Sequence, residues 1–358
     1  MMFPQGVKIA CLLCVVLVQT LTCVAQPVTQ IAAGAYHSLF LKGDGSLWAI
    51  GDNGAGELGD GTYNSTDLPE RIVASNVTAI AAGGYHTLFL KSDGSLWAMG
   101  NNQYGQLGNG TYATNSPYFG TNLPEQIVAS NVTAIAAGGF YSLFLKSDGS
   151  LWAMGVNRKG ELGDGTYNST NLPEQIVASN VTAIAAGSDH SLFLKQNGSL
   201  WAMGYNYSGQ LGDGNNFNTN QPEQIVASNV TAIAAGGNHS MFVESDGSLW
   251  AMGDNNYGEL GDGTYAINFP SYGTNLPEQI MASNVVAIAG GGWHSMFVKS
   301  DGSLWAMGWN LDGQLGDGTY NMTNFPEQIV AGNVAAIAAG SEFSLFAKTD
   351  GSLGDGLQ

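Results

Sequence analysis

One pentapeptide, Gly-Ser-Leu-Trp-Ala, recurs six times and places Trp48, Trp97, Trp152, Trp201, Trp250 and Trp305 at spacings of 49, 55, 49, 49 and 55 residues. A fixed period in this range marks a solenoid, a propeller or an array, in which one small unit is stacked until its apolar faces are covered. Local chemistry divides each unit into four short segments. An Ala-rich run such as Val77-Thr78-Ala79-Ile80-Ala81-Ala82 ends in glycine, and His86-Thr87-Leu88-Phe89-Leu90-Lys91 follows. Asp93-Gly94 is a two-residue hairpin signal, and Leu96-Trp97-Ala98-Met99 comes next. A long polar, Gly-rich loop leads to Pro124-Glu125-Gln126-Ile127-Val128, and Ser130-Asn131 turns into the next copy. Helical periodicity is absent throughout. Four short strands per unit, A to D, repeated in this way are the blades of an all-β propeller.

The A and B segments occur seven times, around Ile31, Ile80, Ile135, Ile184, Ile233, Ile288 and Ile337, but C and D only six. The last unit runs Asp350-Gly351-Ser352-Leu353 and then Gly354-Asp355-Gly356, with Gly354 where Trp is expected. The expectation is a seven-bladed propeller of four-stranded blades whose last blade is incomplete, reduced to A and B. Six blades plus a tail is the alternative. The small Ala-Ala-Gly segments suit the crowded axis, so A is expected innermost. Val28-Thr29-Gln30-Ile31 is already strand A of the first blade. Six-residue expansions follow Trp97 and Trp250 and make two similar long loops, carrying Tyr118 and Phe119 in one and Phe269 and Tyr272 in the other. A duplicated three-unit block or a functional pair of loops would each explain them.

Residues 1–25 read as a secretory signal: Lys8, an apolar core from Ile9 to Leu21, then Cys23-Val24-Ala25 before Gln26. That core is shorter than the roughly 20 residues a spanning helix needs; an uncleaved anchor is the alternative. The expected product is residues 26–358, a single propeller domain, secreted to an extracellular or periplasmic space, monomeric and not inserted in a membrane. Cys11, Cys14 and Cys23 are the only cysteines, so that product has no thiol nucleophile and no disulfide. The formal net charge is −18, from 10 Lys and Arg against 28 Asp and Glu. This excludes nucleic-acid binding, which relies on clustered cations, and argues against docking on anionic membranes. The 44% apolar content excludes a disordered acidic chain.

Several residues could carry chemistry. His37, His86, His190, His239 and His294 share one repeated position, filled by Tyr141 and Phe343 in the other two units. An imidazole ring around the axis could hold a metal or an anion. Replacement by Tyr and Phe favours packing, with the ring nitrogen bonded to a loop carbonyl. The neighbouring Ser or Thr makes no triad, because adjacent strand residues point to opposite faces. The acid pairs Glu57/Asp60, Glu161/Asp164 and Glu259/Asp262 could hold Ca²⁺ or act in glycoside hydrolysis. Gln106/Asn109, Gln210 and Gln314 interrupt that series, and Asx-type turns explain the Asp and Asn equally well. The recurrent Asn53, Asn102, Asn157, Asn206, Asn255 and Asn310 read as turn chemistry. No cofactor is expected apart from that Ca²⁺ option, and no enzyme activity.

A better signal is where the copies disagree. The B–C and D–A turns repeat almost unchanged. The residues before the histidine read Tyr36, Tyr85, Phe140, Asp189, Asn238, Trp293 and Glu342, and those around the loop Asn include Tyr104, Arg158, Lys159, Tyr205, Tyr207, Tyr257, Trp309 and Asp312. In an antiparallel blade the A–B and C–D loops share one face, so both variable sets and both long loops lie together. Scaffold positions repeat while one face diversifies into Tyr and Trp, the residues enriched in binding hot spots.

The motif G-x-x-H-S, then D-G-S-L-W-A-M-G-x-N-x-x-G-Q-L-G-D-G and P-E-Q-I, resembles the regulator of chromosome condensation repeat over essentially all of residues 28–353, with its G-x-N-x-x-G-[QE]-L-G core present six times. The resemblance implies a seven-bladed propeller. It also implies two kinds of role: exchange-factor activity on a small GTPase, or, as in a secreted bacterial β-lactamase-inhibitory protein of this type, protein binding through an aromatic-rich face. The export signal and acidity favour the second. The expected function is a secreted, non-enzymatic binding propeller that recognises a protein, with carbohydrate as the alternative ligand because Tyr and Trp also stack on sugars.

Overall fold

The computed structural model describes residues 26–114, 119–266 and 273–355. Among these, the chain forms 27 strands in seven antiparallel sheets, six of four strands and one of three, and no helix. Blade 1 has strand A (Val28–Ala33), B (His37–Lys42), C (Leu47–Gly51) and D (Thr66–Val73), hydrogen-bonded in that order. The next five blades repeat it. Blade 7 has A (Val334–Ala339), B (Ser344–Lys348) and a three-residue C strand, Leu353–Asp355. The expected reduction to A and B alone is therefore corrected: backbone pairing of Leu345 with Asp355 and of Ala347 with Leu353 needs no side chain, so a stub of C persists without its Trp. The D strands also begin earlier than the Pro-Glu-Gln-Ile run, at Gly120 in blade 2, for example.

The A strands are innermost. Their Gly-rich ends, residues 33–35 round to 339–341, line an axial cavity of about 150 Å³. Strand A of blade 1 lies against strands A and B of blade 7, which closes the ring. These glycines are required sterically: a Cβ on Gly83 would sit 2.4 Å from Cε1 of His86.

Between blades, one sheet face packs on the next. Leu88, Leu90, Leu96 and Ala98 of blade 2 bury Phe144 and Met154 of blade 3, and four further interfaces repeat the pattern. Each fully buried Phe, Leu or Met contributes about 1.5–3 kcal/mol. The interface of blades 6 and 7 is thinner. Gly354 stands opposite Phe346 where Trp305 stands opposite Phe297. Phe346 has moved over the vacancy, so a Cβ on Gly354 would meet its Cζ at 2.1 Å. Phe346 is half-buried, whereas Phe297 is fully buried.

The face carrying the B–C and D–A turns is stitched by backbone. Val132 N–H donates to Gly94 O at 3.0 Å, and Ser147 N–H to Asn131 O at 2.8 Å. Asn76, Asn131, Asn180, Asn229, Asn284 and Asn333 each adopt positive φ (66–73°) there, a conformation Asn tolerates better than most residues. A Cβ on Gly94 would lie 2.9 Å from Asn131 N. Sequence at this face repeats because the geometry admits few alternatives. Beside it, Lys42, Lys91, Lys146, Lys195 and Lys299 lie 3.8–3.9 Å over the Trp rings of their own C strands.

Candidate partner-binding face

The opposite face is built on a frame independent of its exposed side chains. In each complete blade the buried loop Asn ties the C–D loop: in blade 3, Asn157 Nδ2 donates to Asp164 Oδ1 at 2.8 Å, while its Oδ1 accepts from Leu162 N–H at 3.0 Å. The following Asp makes an Asx turn, accepting from Thr166 N–H at 2.8 Å. The turn reading of Asn and Asp is thus what the structure shows. The acid pairs do not converge. Glu57, Glu161 and Glu259 turn inward to accept the N–H of Ala55, Lys159 and Tyr257 at 2.7–2.9 Å. Gln106, Gln210 and Gln314 accept equivalent bonds from Tyr104, Ser208 and Asp312. Burial pushes the carboxyls of Glu57 and Glu161 up to about 7 and that of Glu259 to about 8. Among the described residues no three metal-ligating side chains come together.

The histidines face their neighbours rather than one another. His37 Nε2 meets Thr87 Oγ1 at 2.9 Å, His86 meets Ser142, His190 meets Ser240, His239 meets Ser295 and His294 meets Ser344, all at 2.8–2.9 Å and all across a blade interface. The expected bond to a loop carbonyl is corrected: a hydroxyl intervenes. Ser142 Oγ spends its proton on Gln106 O at 2.8 Å, so it accepts from His86, which fixes the Nε2–H tautomer. The hydroxyl residue beside the histidine position in blades 2, 3, 5, 6 and 7 therefore serves the preceding blade's imidazole, a link 50 or 56 positions away that local reading does not reveal. Burial lowers the five imidazoles to about 3 or 4. In blade 3 Tyr141 substitutes, its hydroxyl donating to His190 O and accepting from Ser191 Oγ. Phe343 offers no such bond at the seam of blades 7 and 1.

On this frame the variable residues come together. The residue before each loop Asn donates its N–H to the carbonyl of the A–B tip: Asn101 to Tyr85 at 2.7 Å, Tyr205 to Asp189 at 2.8 Å and Trp309 to Trp293 at 2.9 Å. Tyr36 and Tyr85 have ring centroids 6.1 Å apart, Tyr85 stacks on Phe140 at 5.3 Å, and Tyr104 meets Phe140 edge-on at 5.3 Å. Tyr205 stacks on Tyr207 at 6.4 Å. Tyr257 meets Trp309 edge-on at 4.5 Å and Trp293 at 6.4 Å. Arg158 lies 5.1 Å over Tyr104 and Lys159 5.4 Å over Tyr205. Such ring pairs contribute about 0.5–1.5 kcal/mol each and hold the side chains in place before any ligand arrives.

The nine ring residues predicted at the loop tips thus form an aromatic patch over blades 1–3, a stacked pair on blade 4 and a Trp corner on blades 5 and 6. Tyr36, Tyr207 and Trp293 are exposed and the other six half-buried. Phe119 is half-buried at the base of its long loop, its carbonyl accepting from Asn102 N–H at 2.7 Å. Tyr118, Phe269 and Tyr272 lie outside the described residues, as does the segment read as a signal. Sequence reading passed over a second apolar feature, the outer rim, where Leu68, Leu123, Leu172, Leu276 and Phe325 are each more than half exposed. The signal was an apolar residue before the D-strand proline in five of the six complete blades, Gln221 standing there in blade 4.

A closed ring of blades with one conserved-geometry face and one diversified face defines a repeat propeller built to display loops. The chain belongs to the RCC1-like domain family, whose model matches residues 75–354. Models of the regulator of chromosome condensation (RCC1) repeat match residues 28–57 and 44–90. Among solved structures, human WBSCR16 is similar with a TM-score of 0.79 and 25% identity, over 90% of this chain and 87% of that one. Prp20p of Saccharomyces cerevisiae, described with its binding to Gsp1p and histones, has a TM-score of 0.78 and 23% identity, over 89% and 82% of the two chains. Yeast RCC1 (Prp20) bound to Kap60 gives 0.77 and 22%, over 88% and 79%.

Proposed function

We propose that this chain is an exported, non-enzymatic binding module that recognises a protein through the face made by its A–B and C–D loops. The observation that carries the reading is the contrast between faces: backbone stitching holds one nearly invariant, while the other gathers nine Tyr, Phe and Trp residues into ordered contacts. Rigid aromatic anchors lose little side-chain entropy on binding, which is what a hot spot requires. The partners described for the yeast relatives, Gsp1p, histones and Kap60, are proteins, so the fold has served protein recognition elsewhere; fold alone transmits no partner.

The test is affinity capture with the wild-type protein, with a variant carrying Tyr85→Ala, Phe140→Ala, Trp293→Ala and Trp309→Ala, and with a glycan array in parallel. The reading expects one protein partner captured by the wild type and lost by the variant. Glycan binding lost with the same substitutions would transfer the face to carbohydrate, and partner capture by the variant would contradict the assignment.

A further inference from the structure

Within that protein-recognition reading, the blades differ in one electrostatic respect. The two positions after the loop Asn are Arg158 and Lys159 in blade 3, and both cations lie over tyrosine rings of neighbouring loops, Tyr104 and Tyr205. In blades 5 and 6 the same positions hold Asn256 and Tyr257, and Leu311 and Asp312. The Trp corner beside them therefore has the best cation-binding rings of the face and no cation of its own. Of the other Lys and Arg beyond residue 25, five are engaged at the opposite face, Arg71 is on an outer strand, and Lys348 ends strand B of blade 7 near its B–C turn.

The charges around the corner are all acidic. Asp312 is exposed, and its Oδ2 accepts the Trp309 indole N–H at 3.1 Å, which leaves Oδ1 free to take a donor. Glu342 occupies the A–B tip next to Trp293, where Gly292 N–H bonds Gly340 O at 3.0 Å and brings the two tips side by side. Trp293, Trp309 and Tyr257 stand at interplanar angles of 59–76°, so they form a corner with walls facing different ways rather than a flat stack.

We propose that this corner receives an arginine side chain of the protein partner, the guanidinium lying on the indole of Trp309 or Trp293 and donating to Asp312 or Glu342. Arginine fits better than lysine because its planar, weakly hydrated head stacks on a ring and offers a fork of donors to a carboxylate at the same time. The partner thus supplies to the Trp corner what Arg158 and Lys159 supply internally to the tyrosines of blades 2 and 4.

The probe is N-acetyl-arginine amide, titrated into the purified protein while the Trp indole N–H resonances are followed by two-dimensional NMR. The Trp293 and Trp309 resonances, assigned by single substitution, are expected to move below about 100 mM, the range of a lone cation–π and carboxylate contact. The uncharged analogue N-acetyl-citrulline amide should leave them in place, N-acetyl-lysine amide should bind at least threefold more weakly, and Asp312→Asn should weaken arginine amide at least threefold. No movement, equal movement with citrulline amide, equal affinity for lysine amide, or an unchanged Asp312→Asn variant would each overturn the proposal. If the titration fails while the alanine variants still lose the partner, the recognition face stands and the arginine assignment falls. If the titration succeeds but the alanine variants still capture the partner, the corner binds free arginine amide without receiving a partner's arginine, and the recognition face and the assignment both fall.

Discussion

The backbone N–H of Trp309 donates to the carbonyl of Trp293 at 2.9 Å, and their ring centroids stand 6.3 Å apart. All six complete blades repeat the bond between these two positions, whether they hold Tyr36 and Asp52 or Asn238 and Asp254. Because the link is backbone only, it fastens the two variable positions without restricting their side chains. The face can therefore diversify while the fold is held elsewhere. Trp293→Ala and Trp309→Ala should accordingly cost only the two ring contacts each one makes, about 1–3 kcal/mol. Urea unfolding midpoints check this, and a loss well above about 3 kcal/mol would make the pair structural.

The inter-blade imidazole bonds should be strongly coupled to their hydroxyl partners. Ser142→Ala leaves a fully buried His86 N–H without an acceptor, at a cost of about 1–3 kcal/mol. A double-mutant cycle of His86→Phe with Ser142→Ala should give a coupling of about 1 kcal/mol. Blade 3, where Tyr141 stands at the histidine position, indicates that an aromatic ring is accommodated there. Additive effects would show that the bond contributes nothing.

Stability should pass through a maximum near pH 6.5. Unfolded histidines take up protons below 6.5, whereas the five buried ones resist until about 3 or 4. Their contribution is present above 6.5 and is lost as pH falls. Glu57, Glu161 and Glu259 act oppositely, holding protons to about 7 or 8 that the unfolded chain releases near 4.5. Their contribution is present below 4.5 and is lost as pH rises to 8. Between 4.5 and 6.5 the five histidines raise stability with pH, opposed by the three glutamates and by the carboxyls of Asp189 and Asp254, which burial also pushes up. Above 6.5 only the carboxyls remain and stability declines. Denaturant midpoints from pH 4 to 8 should rise and then decline; a monotonic rise to pH 8 would remove the glutamates from the account.

Glu259→Gln should stabilise the protein in alkali. Gln106 fills the same place in blade 2 and donates from Nε2 to Asn101 Oδ1 at 2.9 Å; in blade 5 the residue at the Asn101 position is Asp254, a better acceptor. In the wild type Glu259 Oε1 is buried without a partner. The variant should gain about 2–4 kcal/mol at pH 8 and little at pH 5. A gain equal at both pH values would point to packing rather than ionisation.

Replacing the segment after Leu353 with a copy of Trp305–Val330 should raise the melting temperature. The graft would return Phe346 to its buried position and restore Trp and Met against blade 6, where blade 7 now contributes Val334, Ile337, Ala339 and Phe346. An unchanged melting temperature would mean that the short blade costs nothing.

The blade count, the turns and the inward A strands were readable because their causes are local. Asp93-Gly94 closes a hairpin, Asn131 takes positive φ, and Ala-Gly runs fit an axis. The histidine at 86 was visible as a repeat but its role was not, because its partner, Ser142, lies in the next copy. The C-strand stub at Leu353–Asp355 escaped notice for a related reason: sequence reading weighs side chains, and this pairing is carried by backbone. Of the candidate face, the nine loop-tip ring positions were legible, while Tyr118, Phe269 and Tyr272 lie outside the described residues. The division of those nine into a tyrosine-rich patch with its own cations and a Trp corner without one was not, since Arg158 reaches across to Tyr104 from another blade.

The most direct test of the recognition face is calorimetric affinity for the captured partner, measured with single alanine substitutions at Tyr85, Phe140, Trp293 and Trp309, and with Ser92→Arg and Ser147→Arg on the opposite face. At least one aromatic truncation on the loop face should cost about 2 kcal/mol or more, a thirtyfold loss, while both arginine substitutions leave affinity unchanged. Undiminished binding by all four aromatic variants, with loss on Ser92→Arg or Ser147→Arg, would place recognition on the stitched face and contradict the account.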